Sequence, residues 1–116
     1  MLPRANRLRR NADIRHVHRR GHRRSHPLLL LFAIESNRGG TRFATSVSKR
    51  VGNAVVRNRV RRRIREAIRR QLLGVQPGWD CLFIAREGAP LASFSEMEEA
   101  VQDLLARVGV LNGQTE

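Results

Sequence analysis

Residues 46–70 read SVSKRVGNAVVRNRVRRRIREAIRR. Gly52 and Asn53 punctuate the chain, and beyond them Val56, Val60, Ile64, Ala67, Ile68 and Leu72 recur with the helical period. The spacing predicts the longest helix of the chain over about 54–73, closed by Gly74. The rest of its surface is almost wholly arginine. Lys49, Arg50, Arg57, Arg59, Arg61, Arg62, Arg63, Arg65, Arg69 and Arg70 face one acid, Glu66, within the stretch. At ~100° per residue, Arg57, Arg61 and Arg65 line one side of the helix, with Asn58, Arg62 and Arg69 beside them. Like charges at i, i+4 cost an isolated helix ~0.2–0.5 kcal/mol per pair, so this helix suits an anionic partner. Its N-terminal end adds a dipole and free N–H groups, a natural phosphate seat near Gly52 and Asn53.

Strand-like runs flank that helix. Residues 28–34 (LLLLFAI) are a continuous apolar run of strand length, and the turn-rich 37–40 (NRGG) predicts a hairpin into the next strand. There Phe43, Thr45 and Val47 alternate with Ala44, Ser46 and Ser48, so one face is expected in the core and one in a wet environment. Pro77-Gly78 marks a turn, and residues 80–86 (DCLFIAR) read as a third strand. A first, short helix is expected from Asn11 as N-cap, with Asp13 in its first turn, a narrow apolar stripe at Ile14, Val17 and His18, and Gly21 as the stop. Ser93 or Ser95 with Glu96 or Glu98 offers a capping box for a last helix, whose apolar positions are Met97, Ala100, Val101, Leu104, Leu105 and Val108. The fold class is therefore α+β, a small mixed β-sheet with packed helices in the order α-β-β-α-β-α. Residues 1–10 read as a basic arm, 11–111 as a single domain and 112–116 as a polar tail. A strand-helix-strand unit is ordinarily a right-handed crossover.

Composition narrows the function. The 116 residues carry a formal net charge of +13, and the charge is uneven: residues 1–70 hold 21 basic and 3 acidic side chains, residues 71–116 hold 2 and 7. So steep a gradient calls for a polyanion against the basic part. Lys49 is the only lysine; every other cation is an arginine, whose planar fork pairs with phosphate and stacks on bases. The lone Cys81 excludes an internal disulfide and a cysteine zinc site, and its apolar surroundings read as core. No apolar run approaches the ~20 residues of a membrane span, and no signal-peptide pattern is present, so a cytoplasmic protein without a membrane partner is expected. His16, His18, His22 and His26 cluster around the end of the first helix at spacings that do not bring three metal ligands together; they read as solvated or as facing the nucleic acid. Asp80 and Glu87 lack a carboxylate partner at a spacing useful for acid–base work, and Trp79 reads as a core or rim residue. A helix-turn-helix DNA regulator predicts two helices joined by a short turn, whereas the longest helix here lies between strands. A ribosomal protein and a protein-only nuclease are the other classes compatible with charge and size. Composition alone points to nucleic acid without choosing RNA over DNA.

The choice comes from residues 46–62, SVSKRVGNAVVRNRVRR, with the motif Arg57-Asn58-Arg59. This stretch resembles the signature of the bacterial ribonuclease P protein family. The likeness continues in residues 6–11 (NRLRRN), Gly21 and residues 80–86, and spans about 6–108. The resemblance implies a left-handed β-α-β crossover through the arginine helix, against the general rule, and the family is followed here. It implies an accessory subunit of the endoribonuclease ribonuclease P, without catalytic residues of its own. Its partners are ribonuclease P RNA and precursor tRNA, not DNA. Catalysis would belong to the RNA subunit, with Mg2+ bound mainly by that RNA and the substrate; no residue of this chain is assigned to a metal. Carried over by residue, Lys49, Arg50, Asn53, Arg57, Asn58, Arg59, Arg61, Arg62 and Arg65 would contact RNA. Ile14, Val17, His18 and Phe32 would line a cleft for the 5′ leader between the first helix and the sheet. The chain departs from the family pattern in having Ile14 and His18 where aromatics are common, so cations and His18 are expected to carry more of the leader grip.

Overall fold

The strand at 79–85 is the element around which the chain is arranged in the computed structural model, which describes residues 2–111. In chain order the elements are α1 (Asn11–Arg20), β1 (His22–Ser25), β2 (Leu29–Glu35), β3 (Arg42–Ser46), α2 (Ala54–Arg69), β4 (Trp79–Ala85) and α3 (Phe94–Val108). The sheet order is β1-β2-β4-β3. β4 runs antiparallel to β2 and parallel to β3, so the sheet is mixed, as the sequence predicts. Its central position explains why residues 81–85 lack polar alternation: a strand covered on both faces must be apolar throughout. Burial pushes the Cys81 thiol far above its ordinary pKa, as befits a side chain acting as a core hydrophobe.

Two features of the sheet differ from the sequence expectation. The predicted hairpin between the strands at 28–34 and 43–48 does not form, because β4 lies between β2 and β3. The connection across β4 is held at its end by Thr41, whose hydroxyl donates to the Gln76 carbonyl and accepts from the Trp79 amide. The actual hairpin joins β2 to β1, a strand absent from the predicted order. Its turn closes through Leu29 N–H to the His26 carbonyl and His26 N–H to the Leu29 carbonyl, while His26 Nδ1 accepts from the Leu28 amide. The sequence His22-Arg-Arg-Ser25 has no apolar pattern because β1 is an edge strand; Arg86 and Arg107 bind Ser25 through its hydroxyl and its carbonyl.

Alternation sorts the side chains into two layers. Leu29, Leu31, Ala33, Cys81, Phe83 and Ala85 face α2 and α3 and form the main core with Ile64, Ile68, Leu104 and Leu105. On the other face Val17 of α1 packs with Leu8, Ala44 and Leu82, and Ile14, Phe32, Ile34 and Ile84 border that cluster. α1 begins one residue earlier than expected: Arg10 is the N-cap, and Asn11 is already helical. Gly21 ends the helix where a Cβ would stand 2.5 Å from the Val17 carbonyl oxygen and 3.0 Å from the Ala33 nitrogen, so only glycine lets the helix end meet β2 this closely. α2 ends at Arg69 and gives way to a 3-10 turn over Leu72–Gly74, shorter than its apolar pattern suggests. Of the capping-box pairings open to α3, the one formed is Ser93 with Glu96. Residues 2–8 lie against the domain: Leu2 and Leu8 are buried, the Leu8 amide donates to Phe43, and Asn6 donates to Thr41. The tail at 112–116 lies outside the described residues. Among those described, no helix is long and apolar enough to cross a membrane.

α2 links the parallel neighbours β3 and β4, the crossover to which the family resemblance gives a left-handed path. At its base Arg42 of β3 forms a bidentate pair with Asp80 of β4, 3.0 and 2.8 Å long, and Asp13 of α1 approaches the same guanidinium at 3.7 Å. Both members of the pair are largely buried, and the Arg42 pKa is raised, first by its hydrogen bond to Asp80. Asp80→Ala strands that guanidinium and is expected to cost about 2–4 kcal/mol in urea unfolding. Glu66→Ala, which removes an exposed pair with Arg69, should leave the unfolding midpoint close to that of the parent.

Candidate nucleic-acid interface

α2 is built to present arginines on one side. Val60, Ile64, Ala67 and Ile68 are buried against the core, which fixes the rotation of the helix and turns the remaining positions outward. Asn53 caps it, its Oδ1 accepting from the Val56 amide at 3.0 Å. The turn before it needs Gly52, because a Cβ there would stand 2.7 Å from Val56 Cγ1 and 2.9 Å from Val56 Cβ. Lys49 and Arg50 lie in a 3-10 turn just before this cap, both exposed. The sequence-predicted cations at the helix entrance are thus gathered around its positive end.

The arginines of α2 divide into two groups that composition cannot separate. Arg63 donates to the Ala92 carbonyl, Arg69 pairs with Glu66, and Arg70 pairs with Glu98 at 3.2 Å while lying 5.3 Å from the Phe94 ring centroid. These three are engaged by the protein itself. Arg59, Arg62 and Arg65 are exposed and make no hydrogen bond or ion pair among the described residues. Between the groups, Arg57 donates to the Gly52 carbonyl at 3.0 Å, and Arg61 to Asn58 Oδ1 at 2.8 Å. Each uses one Nη1 contact and keeps other N–H groups available. Asn58 therefore orients a neighbouring cation. The predicted RNA-binding set lies on α2 and its approach, and the arginines left out of that set, Arg63, Arg69 and Arg70, are those the fold engages.

The leader-cleft residues separate differently. His18 and Phe32 meet, ring centroids 4.8 Å apart and tilted by 53°. Val17 is fully buried, so it forms the floor beneath this pair rather than a contact surface; a ligand cannot reach it while α1 stays on the sheet. Ile14 lines a different hollow, of about 230 Å³, between residues 2–9, the first turn of α1, β3 and α2. Arg7, Arg9 and Arg65 share its wall with Ile14, Phe43 and Thr45. This hollow joins the α1 side of the molecule to the arginine helix, and Arg7 is set in place by its Nε donating to the Leu2 carbonyl at 2.9 Å. Sequence reading missed Arg7 and Arg9 here because nothing local shows that residues 7–8 run beside Phe43. Among the described residues no three His, Cys, Asp or Glu side chains are grouped so as to hold a metal ion.

Fold and charge together define a class: a small, strongly basic α+β domain that displays oriented, uncommitted arginines along one helix. The family model described as Ribonuclease P matches residues 2–109, and the chain belongs to that family. A ribonuclease P protein component of Roseiflexus castenholzii is 42% identical over 113 residues, covering 97% of this chain and 93% of its own. One from Clostridium botulinum (strain Langeland) is 38% identical over 108 residues, covering 92% and 97%. The solved RNase P protein of Staphylococcus aureus superposes with a TM-score of 0.85 at 27% identity, over 94% of this chain and all of that one. The chain is accordingly a ribonuclease P protein subunit by family, and its place is in tRNA processing.

The division among the arginines has a direct readout. Arg59→Ala, Arg62→Ala and Arg65→Ala should each weaken RNA binding and make log K against log salt shallower by about 0.7–0.9 for every phosphate no longer neutralised. Arg69→Ala should leave that slope unchanged. Equal slopes for all four variants would contradict the division.

Proposed function

We propose that this chain binds the catalytic RNA of ribonuclease P through α2 and holds the 5′ leader of precursor tRNA on the α1 side of the sheet. In this reading the RNA subunit removes the leader and leaves the mature 5′ end. The observation that carries it is the cluster of exposed arginines without protein partners on α2, which meets the α1 side at the hollow shared by Arg65 and Ile14. A polyanion there relieves the repulsion between neighbouring arginines, and each charge-assisted contact to phosphate is stronger than a neutral hydrogen bond.

Positioning is the contribution of the protein. Arg57, held by the Gly52 carbonyl, and Arg61, held by Asn58, present their remaining N–H groups in fixed directions, so less side-chain freedom is lost on binding. The His18–Phe32 pair gives the leader one ring surface to stack on, and a base on an aromatic face is worth ~1–3 kcal/mol. With Ile14 apolar but not aromatic, the arginines near it supply more of the grip. Mg2+, held by the RNA and the substrate, would activate the water that cleaves the phosphodiester. Every role of this chain is to bind and orient. The site of action in this reading is the cytoplasm.

Two experiments test this. Protein freed of RNA should show no leader cleavage, and activity should appear on reconstitution with the cognate RNA subunit; robust cleavage by the protein alone would overturn the division of labour. Phe32→Ala should raise the Kd for leader-bearing precursor tRNA by about tenfold, as one base loses its stacking surface, with little change for mature tRNA. Equal effects on both ligands would remove Phe32 from the leader path.

A further inference from the structure

The face of the sheet beneath α1 is only partly covered. On the opposite face Leu29, Leu31, Ala33 and Phe83 are fully buried, whereas on this one Leu30, Phe32, Ile34 and Ile84 all remain half-buried. A half-open apolar surface in a protein this basic asks what lies on it. Its flank is β1, and the register of that strand places Arg23 directly opposite Phe32. Directly opposed residues on antiparallel strands share a face, with Cβ atoms ~4.5–5.5 Å apart. Arg23 therefore stands beside the ring that His18 meets from α1.

Three further observations qualify Arg23 as a ligand group. It is exposed, and its guanidinium makes no hydrogen bond or ion pair among the described residues. The strand that carries it is anchored, since Ser25 is bound by Arg86 at 3.0 Å and by Arg107 at 2.9 Å. The acids on this face, Asp13 and Asp80, are gathered around Arg42 at the β3 side, across the sheet from β1. An apolar ring surface with a cation along its margin and no acid beside it is the arrangement that holds a single strand, bases on the rings and phosphates on the cations.

We propose that Arg23 is a further RNA-binding residue, its guanidinium taking the phosphate of the nucleotide whose base lies on the Phe32–His18 pair. This inference rests on the leader reading above and names a residue that the family motifs do not point to. The test is equilibrium binding of the reconstituted holoenzyme to leader-bearing precursor tRNA and to mature tRNA, with R23A, R23K and F32A compared. R23A should weaken binding of the precursor about five- to tenfold, as for one exposed charge-assisted contact, and leave mature tRNA within about twofold. Its salt slope for the precursor should be shallower by about 0.7, while R23K, which keeps the charge, should retain most of the slope. Thermal melting of R23A and R23K confirms that β1 still closes the sheet edge. If F32A is leader-selective and R23A is not, Arg23 is excluded while the leader reading stands. If neither variant is leader-selective, the leader reading fails and this inference fails with it.

Discussion

Most of the exposed side of α2 is arginine set against arginine, and the apolar stripe on the other side has to outweigh that repulsion. Arg57–Arg61, Arg59–Arg63, Arg61–Arg65 and Arg65–Arg69 are like-charged pairs at i, i+4. At ~0.2–0.5 kcal/mol each they disfavour the helix by about 1–2 kcal/mol. Burying Val60, Ile64 and Ile68 stabilises it by ~1.5–3 kcal/mol apiece, so packing wins by a clear margin. The fold can therefore hold a row of cations in place before any anion arrives.

That order of events shapes the economy of the arginines. A chain with so many of them gains little from composition alone, since an arginine folded back on a carbonyl or carboxylate is not offered to a ligand. The protein separates the two uses by position on one helix. Toward α3 and the loop before it, Arg63 and Arg70 close the protein on itself, while Arg69 is held along the helix by Glu66. Away from them, Arg59, Arg62 and Arg65 stay open, and two more are aimed by Asn58 and the Gly52 carbonyl. The same asparagine that makes the family motif recognisable thus has a physical task, which is to fix the Arg61 guanidinium beside it.

Much of this was legible in the sequence, for reasons that are local. The stripe of α2, the break at Gly52-Asn53 before it and the presence of a capping box near Ser93 depend on residues within a few positions of one another, and each was readable. β1 was not, because an exposed edge strand reading His-Arg-Arg-Ser has no apolar period to betray it. The false hairpin arose from the same limit: two strand-like runs separated by NRGG look like neighbours, and only the distant residues 79–85 decide that they are not. Val17 and His18 sit on one stripe and read alike; which of them ends up beneath the ring pair depends on how α1 lies on the sheet. The allocation of arginines was illegible for a similar reason, since Ala92 and Glu98 lie far along the chain from the residues they engage.

The insertion of β4 between β2 and β3 also governs the way the molecule comes into being. Both outer parts of the sheet are synthesised before the strand that joins them, and α2 is complete before most of its hydrophobic partners exist. Until residue 85 is available, β2 and β3 have no shared neighbour, and the arginine helix has no finished surface to rest on. Such a topology places its decisive pairings late and far apart in sequence, which lowers folding speed relative to a chain with local pairings. During that interval the most basic segment of the protein has been synthesised but has no finished core to orient it. Vectorial synthesis thus makes completion of a single central strand the event that turns a polycation into a shaped surface.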